Sequence, residues 1–195
     1  MSKPLPLLTT PPTERADAAR NREALLSAAS ELIQGCSVEG VTMEAVAAKA
    51  GVGKGTVFRR FGSREGLMAS LLDHAERAWQ AAVIGGPAPL GPGAPPMERL
   101  LAFGASRMHL HLQQGALIDA AGRTWGDNYA VTGFVTMHVR ILLAELGVEG
   151  NLPYLATALV APLSLPVLRQ QFDQAQMSED QVMAGWEELV RRVVG

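Results

Sequence analysis

Between Thr42 and Arg64 the chain reads TMEAVAAKAGVGKGTVFRRFGSR, and the residues on either side of Gly51 leave it few ways to fold. Before that glycine, Val46, Ala47 and Ala50 recur at three- and four-residue spacing, the period of one helix face. After it, Val57 and Phe61 do the same. Gly51 takes up a φ > 0 conformation at little cost, so it ends the first helix abruptly. Thr42 precedes that helix as its N-cap, with Glu44 placed against the positive helix end. Ala47 sits where two steeply crossed helices come closest and a larger side chain would hold them apart. Val52 is expected to plug the corner between them.

With Val57 and Phe61 turned inward, Lys54, Gly55, Thr56, Phe58, Arg59 and Arg60 are left to face outward. Two short helices joined at a glycine, the second cationic on its free face, form a helix-turn-helix suited to the major groove of DNA. Other glycine-rich motifs fail on spacing. A phosphate-cradling loop needs Ser or Thr directly after Gly53-Lys54, where this chain has Gly55, and it needs a preceding strand where Glu44 to Ala50 reads as helix. Gly51-x-Gly53-x-Gly55 is not the dinucleotide fingerprint.

The run from Thr42 through GVGKGTVFRRFGSREGL to Leu67, preceded by an amphipathic helix over Arg20 to Ile33, resembles the TetR family of bacterial transcriptional regulators. The phase of Ala47, Gly51, Thr56, Phe58 and Phe61 carries the resemblance, which covers about the first third of the chain. It implies base or phosphate contacts from Lys54, Thr56, Arg59 and Arg60, with further phosphate contacts near Thr42 and from Arg64. Gly55 and Phe58 complete the DNA-facing set. Family members most often have tyrosine where Phe58 stands and often serine where Gly53 stands. This chain therefore lacks one hydroxyl for a phosphate and starts its recognition helix with a weaker cap.

The net charge of −2 suits a DNA-binding protein only when it is divided along the chain. Residues 1–64 carry nine Lys and Arg against six Asp and Glu, whereas residues 65–195 carry eight against thirteen. The basic part meets phosphate and the acidic part stays clear of it. No alternating β-branched run appears, so the expected fold is all-α: a three-helix DNA-binding domain packed on a helical regulatory and dimerisation domain. The expected divisions are a disordered tail over 1–12, the helix-turn-helix domain over 13–62, and the regulatory domain over 63–195. The proline-broken N-terminus has no signal-peptide core. Leu155 to Leu168 is too short to span a bilayer and contains Pro162 and Pro166, so no membrane association is expected. A lone Cys36 excludes an internal disulfide and fits a reducing cytoplasm; it reads as a buried structural thiol.

Arg15, Arg20 and Arg22 stand near the start of helix one, placed to add phosphate contacts, to reach a neighbouring minor groove, or simply to be solvated. Ser63 should cap a fourth helix running to about Ile84. GGPAPLGPGAPP over residues 85–96 is a flexible break. Helices follow over Met97 to Gln114, a short piece at Ala116 to Ala121, Asn128 to Leu146, Leu152 to Gln174 and Ser178 to Val194. Pro162 and Pro166 should kink the penultimate one.

Leu155, Leu159, Leu163 and Val167, with Val182, Trp186, Leu189 and Val193, give the last two helices apolar faces that, in proteins of this resemblance, form a four-helix homodimer interface. A dimer also fits the chemistry, since two recognition helices about 34–36 Å apart read a palindrome. Phe103, Met108, His111, Trp125, Tyr129, Phe134, Met137 and His138 supply large apolar walls with a few polar handles, the lining a small organic effector needs. His109 and His111 point to different sides of a helix and make a poor metal pair, so no metal site is expected. Neither a nucleophile–base arrangement nor paired carboxylates appears; no catalysis and no cofactor are expected. The function implied is a ligand-responsive repressor on double-stranded operator DNA. A DNA-binding factor answering to a protein partner, such as a nucleoid-associated protein, is the alternative.

Overall fold

The computed structural model describes the backbone of residues 12–122 and 129–195, and the side chains of 16–122 and 133–195. The expected tail, apart from Pro12, lies outside the described residues, as does Trp125. Every regular element described is helical. The chain divides into two compact units between Leu71 and Leu72. No single described helix is long and apolar enough to cross a membrane.

In the first unit α1 spans Pro12–Gly35, eight residues longer at its start than the apolar period predicts. Proline is tolerated in a first helical turn, where its missing N–H has no partner to lose, so PTERADAA continues the helix. A single 3₁₀ turn, Val38–Gly40, leads to α2 (Met43–Lys49), and α3 follows at Lys54–Phe61. Thr42 caps α2 as expected, its hydroxyl oxygen accepting from the Ala45 N–H at 3.1 Å. Gly51 turns the chain at φ +67°. Leu25, Leu26, Ala29, Val41, Val46, Ala47, Val57 and Phe61 form the buried centre. Val52 closes the corner only in part: it is 38% exposed, and its backbone N–H donates to the Ala47 carbonyl. Cys36 is exposed rather than buried: it lies just past the end of α1 at Gly35, its thiol donating to the Leu32 carbonyl at 3.0 Å.

Ser63 caps α4 (Arg64–Gly85), accepting from the Gly66 N–H at 3.2 Å. The later turns of α4 belong to the second unit. There α5 runs unbroken over Pro96–Ala121, without the interruption predicted near Gly115. One helical glycine costs only about 1 kcal/mol, and Arg169 braces this turn. Its guanidinium donates to both Asp119 oxygens, at 2.9 and 2.6 Å. α6 (Tyr129–Glu145) and α7 (Leu152–Val160) follow. The prolines then act as predicted: a 3₁₀ turn at Ala161–Leu163 precedes α8 (Leu165–Arg169), and the path bends by 49°. Two side chains bond carbonyls at this interruption. Trp186 Nε1 donates to Leu159 at 2.8 Å, and His111 Nδ1 lies 2.6 Å from the Leu163 oxygen. α9 (Glu179–Val194) closes the chain behind a capping box built by Ser178 and Gln181.

Candidate nucleic-acid interface

α3 buries Val57 completely and Phe61 almost so, which turns Lys54, Gly55, Phe58, Arg59 and Arg60 to solvent, with Thr56 half-buried. A Cβ added at Gly55 would meet nothing within 4 Å, so this turn presents bare backbone to whatever docks there. Gly53 starts the helix without a side-chain cap, as expected. Lys54 lies 5.3 Å from the centre of the Phe58 ring and pairs with Glu44. The hydrogen bond from Lys54 is the main cause holding the Glu44 carboxyl below its ordinary range. Exposed pairs of this kind contribute little and are readily exchanged for a phosphate.

The predicted contact residues do not all stand alike. Lys54, Phe58 and Arg59 project from the outer face, whereas Arg60 donates to the Ala18 carbonyl of α1. Arg64 is half-buried, its Nε donating to Val41 at 2.9 Å and its Nη2 to Val38 at 2.5 Å. These bonds make Arg64 a strut beneath the N-terminus of α2, and they take two of its five N–H groups away from phosphate. Thr42 is exposed beside it.

In the second unit an aromatic cluster brings together several of the residues chosen as effector lining. Phe103 stacks on the His138 imidazole at 5.0 Å between centres, and Phe134 faces the same imidazole at 6.2 Å. Trp79 packs on Phe103 at 5.0 Å and meets Phe134 edge-on at 6.1 Å. Met108 is buried nearby in the same core. Met137 is not part of it, being half exposed on the outer side of α6. Tyr129 begins α6, but its side chain, like all of Trp125, is outside the described residues.

Sequence reading missed the polar heart of this unit. Arg107 Nη1 donates to Glu76 at 2.6 Å with both side chains almost fully buried, and its guanidinium stacks 4.8 Å from the Trp79 ring. Gln80 donates to the other Glu76 oxygen at 3.1 Å. The signal was present: Glu76 falls on the stripe Leu72, Trp79, Val83, and Arg107 falls on the stripe Leu100, Phe103, Gly104. A charge at an inward position of a buried stripe calls for a partner.

Two histidines of this unit, His111 and His138, are held neutral. Burial, then the Arg107 charge, pushes His111 down to about 4; burial, then Arg99, does the same to His138. The bond to Leu163 fixes the His111 proton on Nδ1. A histidine depressed in the folded state is protonated first in the unfolded chain, so stability is full above about pH 6.5 and falls until about pH 4. Between pH 7 and 5, His111 should remove about 2 kcal/mol. Urea unfolding at the two pH values, compared with His111→Gln, which keeps a donor but cannot titrate, measures this. Equal pH dependence in parent and variant contradicts the assignment.

The residues predicted to meet a second copy need correction. Leu159, Leu163, Val182 and Trp186 are at most 3% exposed within the single chain, because the proline bend and α9 fold them into its own core. Leu155, Val167, Leu189 and Val193 are half-buried beside them. The solvent side of α7 carries Tyr154, 70% exposed, with Thr157 and Ala158, and Ala161 follows in the 3₁₀ turn.

Residues 25–71 match the family model of the bacterial regulatory proteins, tetR family. No curated relative matches the sequence. Among solved structures, a TetR transcriptional regulator from Rhodococcus sp. RHA1 superposes with a TM-score of 0.57 at 22% identity, covering 90% of this chain and 97% of that one. A TetR-like transcriptional regulator from the same organism gives 0.57 at 19% identity, covering 88% and 94%. The TetR family regulator PfmR from Thermus thermophilus gives 0.53 at 17%, covering 86% and 97%. The chain has the fold of TetR-type transcriptional regulators, with the family's N-terminal module in its first unit.

Proposed function

We propose that this TetR-type chain is a transcriptional repressor that binds a palindromic DNA operator as a homodimer and leaves it when a small apolar or amphipathic molecule enters the second unit. The observation that carries the reading is the outer face of α3, where Lys54, Phe58 and Arg59 stand exposed on a helix only eight residues long behind an uncapped glycine. Such a helix fits the major groove, and a guanidinium there can bond guanine O6 and N7 together.

The dimer forms through the solvent side of α7, where small residues let helices approach closely, together with the exposed Ala184 and Gly185 of α9. For the effector, the aromatic cluster provides a planar apolar wall. Arg99 Nε and His138 Nε2 supply polar handles: both are buried and have no partner among the described residues. Buried polar groups left unpaired cost about 1–3 kcal/mol each, which a ligand's hydrogen bonds recover. The effector displaces α4 and so alters the spacing of the two heads. About 1–3 kcal/mol of coupling changes operator affinity some 5- to 150-fold.

Operators selected from a random duplex library test the reading. Arg59→Ala should lose about 1–3 kcal/mol on the selected duplex and relax preference at one base pair per half-site. Parent and variant binding selected and scrambled duplexes equally would refute the assignment.

A further inference from the structure

Arg99 stands in the first turn of α5 with its side chain only 16% exposed, and its Nε is buried without a partner among the described residues. Glu145, the acid paired with it, is exposed at the end of α6, and their closest atoms are 3.9 Å apart. That separation is beyond hydrogen-bond reach, so the guanidinium is poorly compensated for the water it has lost. One turn further along α5 comes Phe103, whose ring stacks on the His138 imidazole at 5.0 Å. Arg99 therefore stands beside that imidazole, and its charge, second to burial, holds His138 neutral. His138 Nε2 is also buried without a partner among the described residues. Phe134 and His138 are half-buried, which brings this end of the aromatic cluster close to the surface.

The chemistry of these groups limits what binds there. A guanidinium offers donors and a permanent positive charge, so it repels an amine and stays unmatched beside a neutral molecule. A neutral imidazole carries one proton, and an acceptor at Nε2 selects the tautomer that has it there. One charge and two donors on neighbouring helices match one carboxylate, with an oxygen for each donor. A phosphate monoester would bring about 1.5 to 2 negative charges to a single cation. Phe103 and Phe134 flank the imidazole, and Trp79 packs on both, so the rest of the molecule meets an apolar wall. We infer that the effector is an amphipathic carboxylate, its acid group held by Arg99 Nε–H and His138 Nε2–H and its apolar body lying against Phe103 and Phe134. The inference rests on the effector reading above and narrows it to organic monoanions. It also gives Arg99 a role in binding rather than in holding the empty fold together.

The test uses the full chain on a duplex enriched from a random library. A general metabolite library, supplemented with 2-naphthoate, decanoate and the primary amide and amine matching each, is screened for release of the duplex by fluorescence anisotropy. Carboxylates should release it, with their amides and amines at least about tenfold weaker. Arg99→Gln should weaken the releasing acid about 10- to 150-fold, the loss of one charge-assisted hydrogen bond, and leave the affinity of its amide unchanged. His138→Phe keeps the ring stack and should also weaken the acid while sparing the amide. Without any small molecule, Arg99→Gln and Arg99→Met should melt at the parent temperature or above it, because an unmatched buried charge has been removed. Variants that melt several degrees lower, or do not fold, assign Arg99 to the fold and overturn the inference. Release by amides, amines or neutral metabolites in preference to acids also overturns it and leaves the effector reading standing. If nothing in the library releases the bound duplex, the effector reading and this inference fall together.

Discussion

Replacing Glu76 by alanine is expected to destabilise the second unit by about 3–5 kcal/mol, because it leaves the Arg107 guanidinium buried without its counter-charge. Both groups are at most 5% exposed, with the nitrogen and oxygen 2.6 Å apart. The pair is also stitched into its surroundings. Gln80 donates to Glu76, Trp79 stacks under Arg107 and donates from Nε1 to Ser106 at 3.1 Å, and Ser106 donates to the Phe103 carbonyl at 2.9 Å. Removing one charge disturbs all of these. Removing both need not. A double replacement, Glu76→Leu with Arg107→Met, should recover most of the loss, since well-packed apolar residues often match or exceed a buried ion pair. Urea unfolding of the parent, the single variant and the double variant gives the comparison. A single variant losing less than about 1 kcal/mol would show that water reaches the pair.

The same network bears on the proposed effector response. It ties the later turns of α4 to α5 beside the aromatic cluster, so an effector that moves α4 must rearrange it. A pair that is costly to break and indifferent to joint replacement is better suited to defining one arrangement of α4 than to adding stability.

How much of this was legible beforehand follows from what each residue has to satisfy. The helix-turn-helix was readable because its constraints are local. Gly51 needs positive φ, Thr42 needs an N–H two or three residues ahead, and Val57 with Phe61 set the inward side of α3. The proline bend after α7 was readable for the same reason, since Pro162 and Pro166 remove backbone donors wherever they stand. Length of α1 was not, because PTERADAA carries no apolar stripe and Pro12 marks a possible helix start as well as a tail. The fates of Val52 and Cys36 depended on how closely neighbouring chain covers them, which spacing does not encode. The last two helices show the limit most clearly. Leu159, Leu163, Val182 and Trp186 form faultless stripes, but a stripe states only that something covers it. Here the covering comes from the same chain. Arg64 belongs with these, because the spacing of a cationic side chain does not encode the Val38 and Val41 carbonyls that lie within its reach.

Gly104 offers a sharper test of the same point, since local preference and packing predict opposite signs. In a helix interior, alanine is favoured over glycine by about 1 kcal/mol, so Gly104→Ala in α5 would ordinarily stabilise the chain. Here an added Cβ would come within 2.6 Å of three carbons of the Trp186 ring. The indole has little room to yield: it is 3% exposed and its Nε1 is bonded to the Leu159 carbonyl. The helices must separate or the tryptophan must leave its bond, and overpacking of this kind costs about 1–3 kcal/mol or more. Gly104→Ala should therefore lower stability by about 2 kcal/mol, and Tm by roughly 4–8 °C for a chain of this size. The cause can be isolated by repeating the substitution in a Trp186→Leu background. Once the indole is gone, Gly104→Ala should become neutral or stabilising, a coupling visible as non-additivity between two touching sites. A Gly104→Ala variant that melts higher than the parent would mean that α9 does not press its tryptophan against α5, and that Trp186 is free to meet a second copy after all.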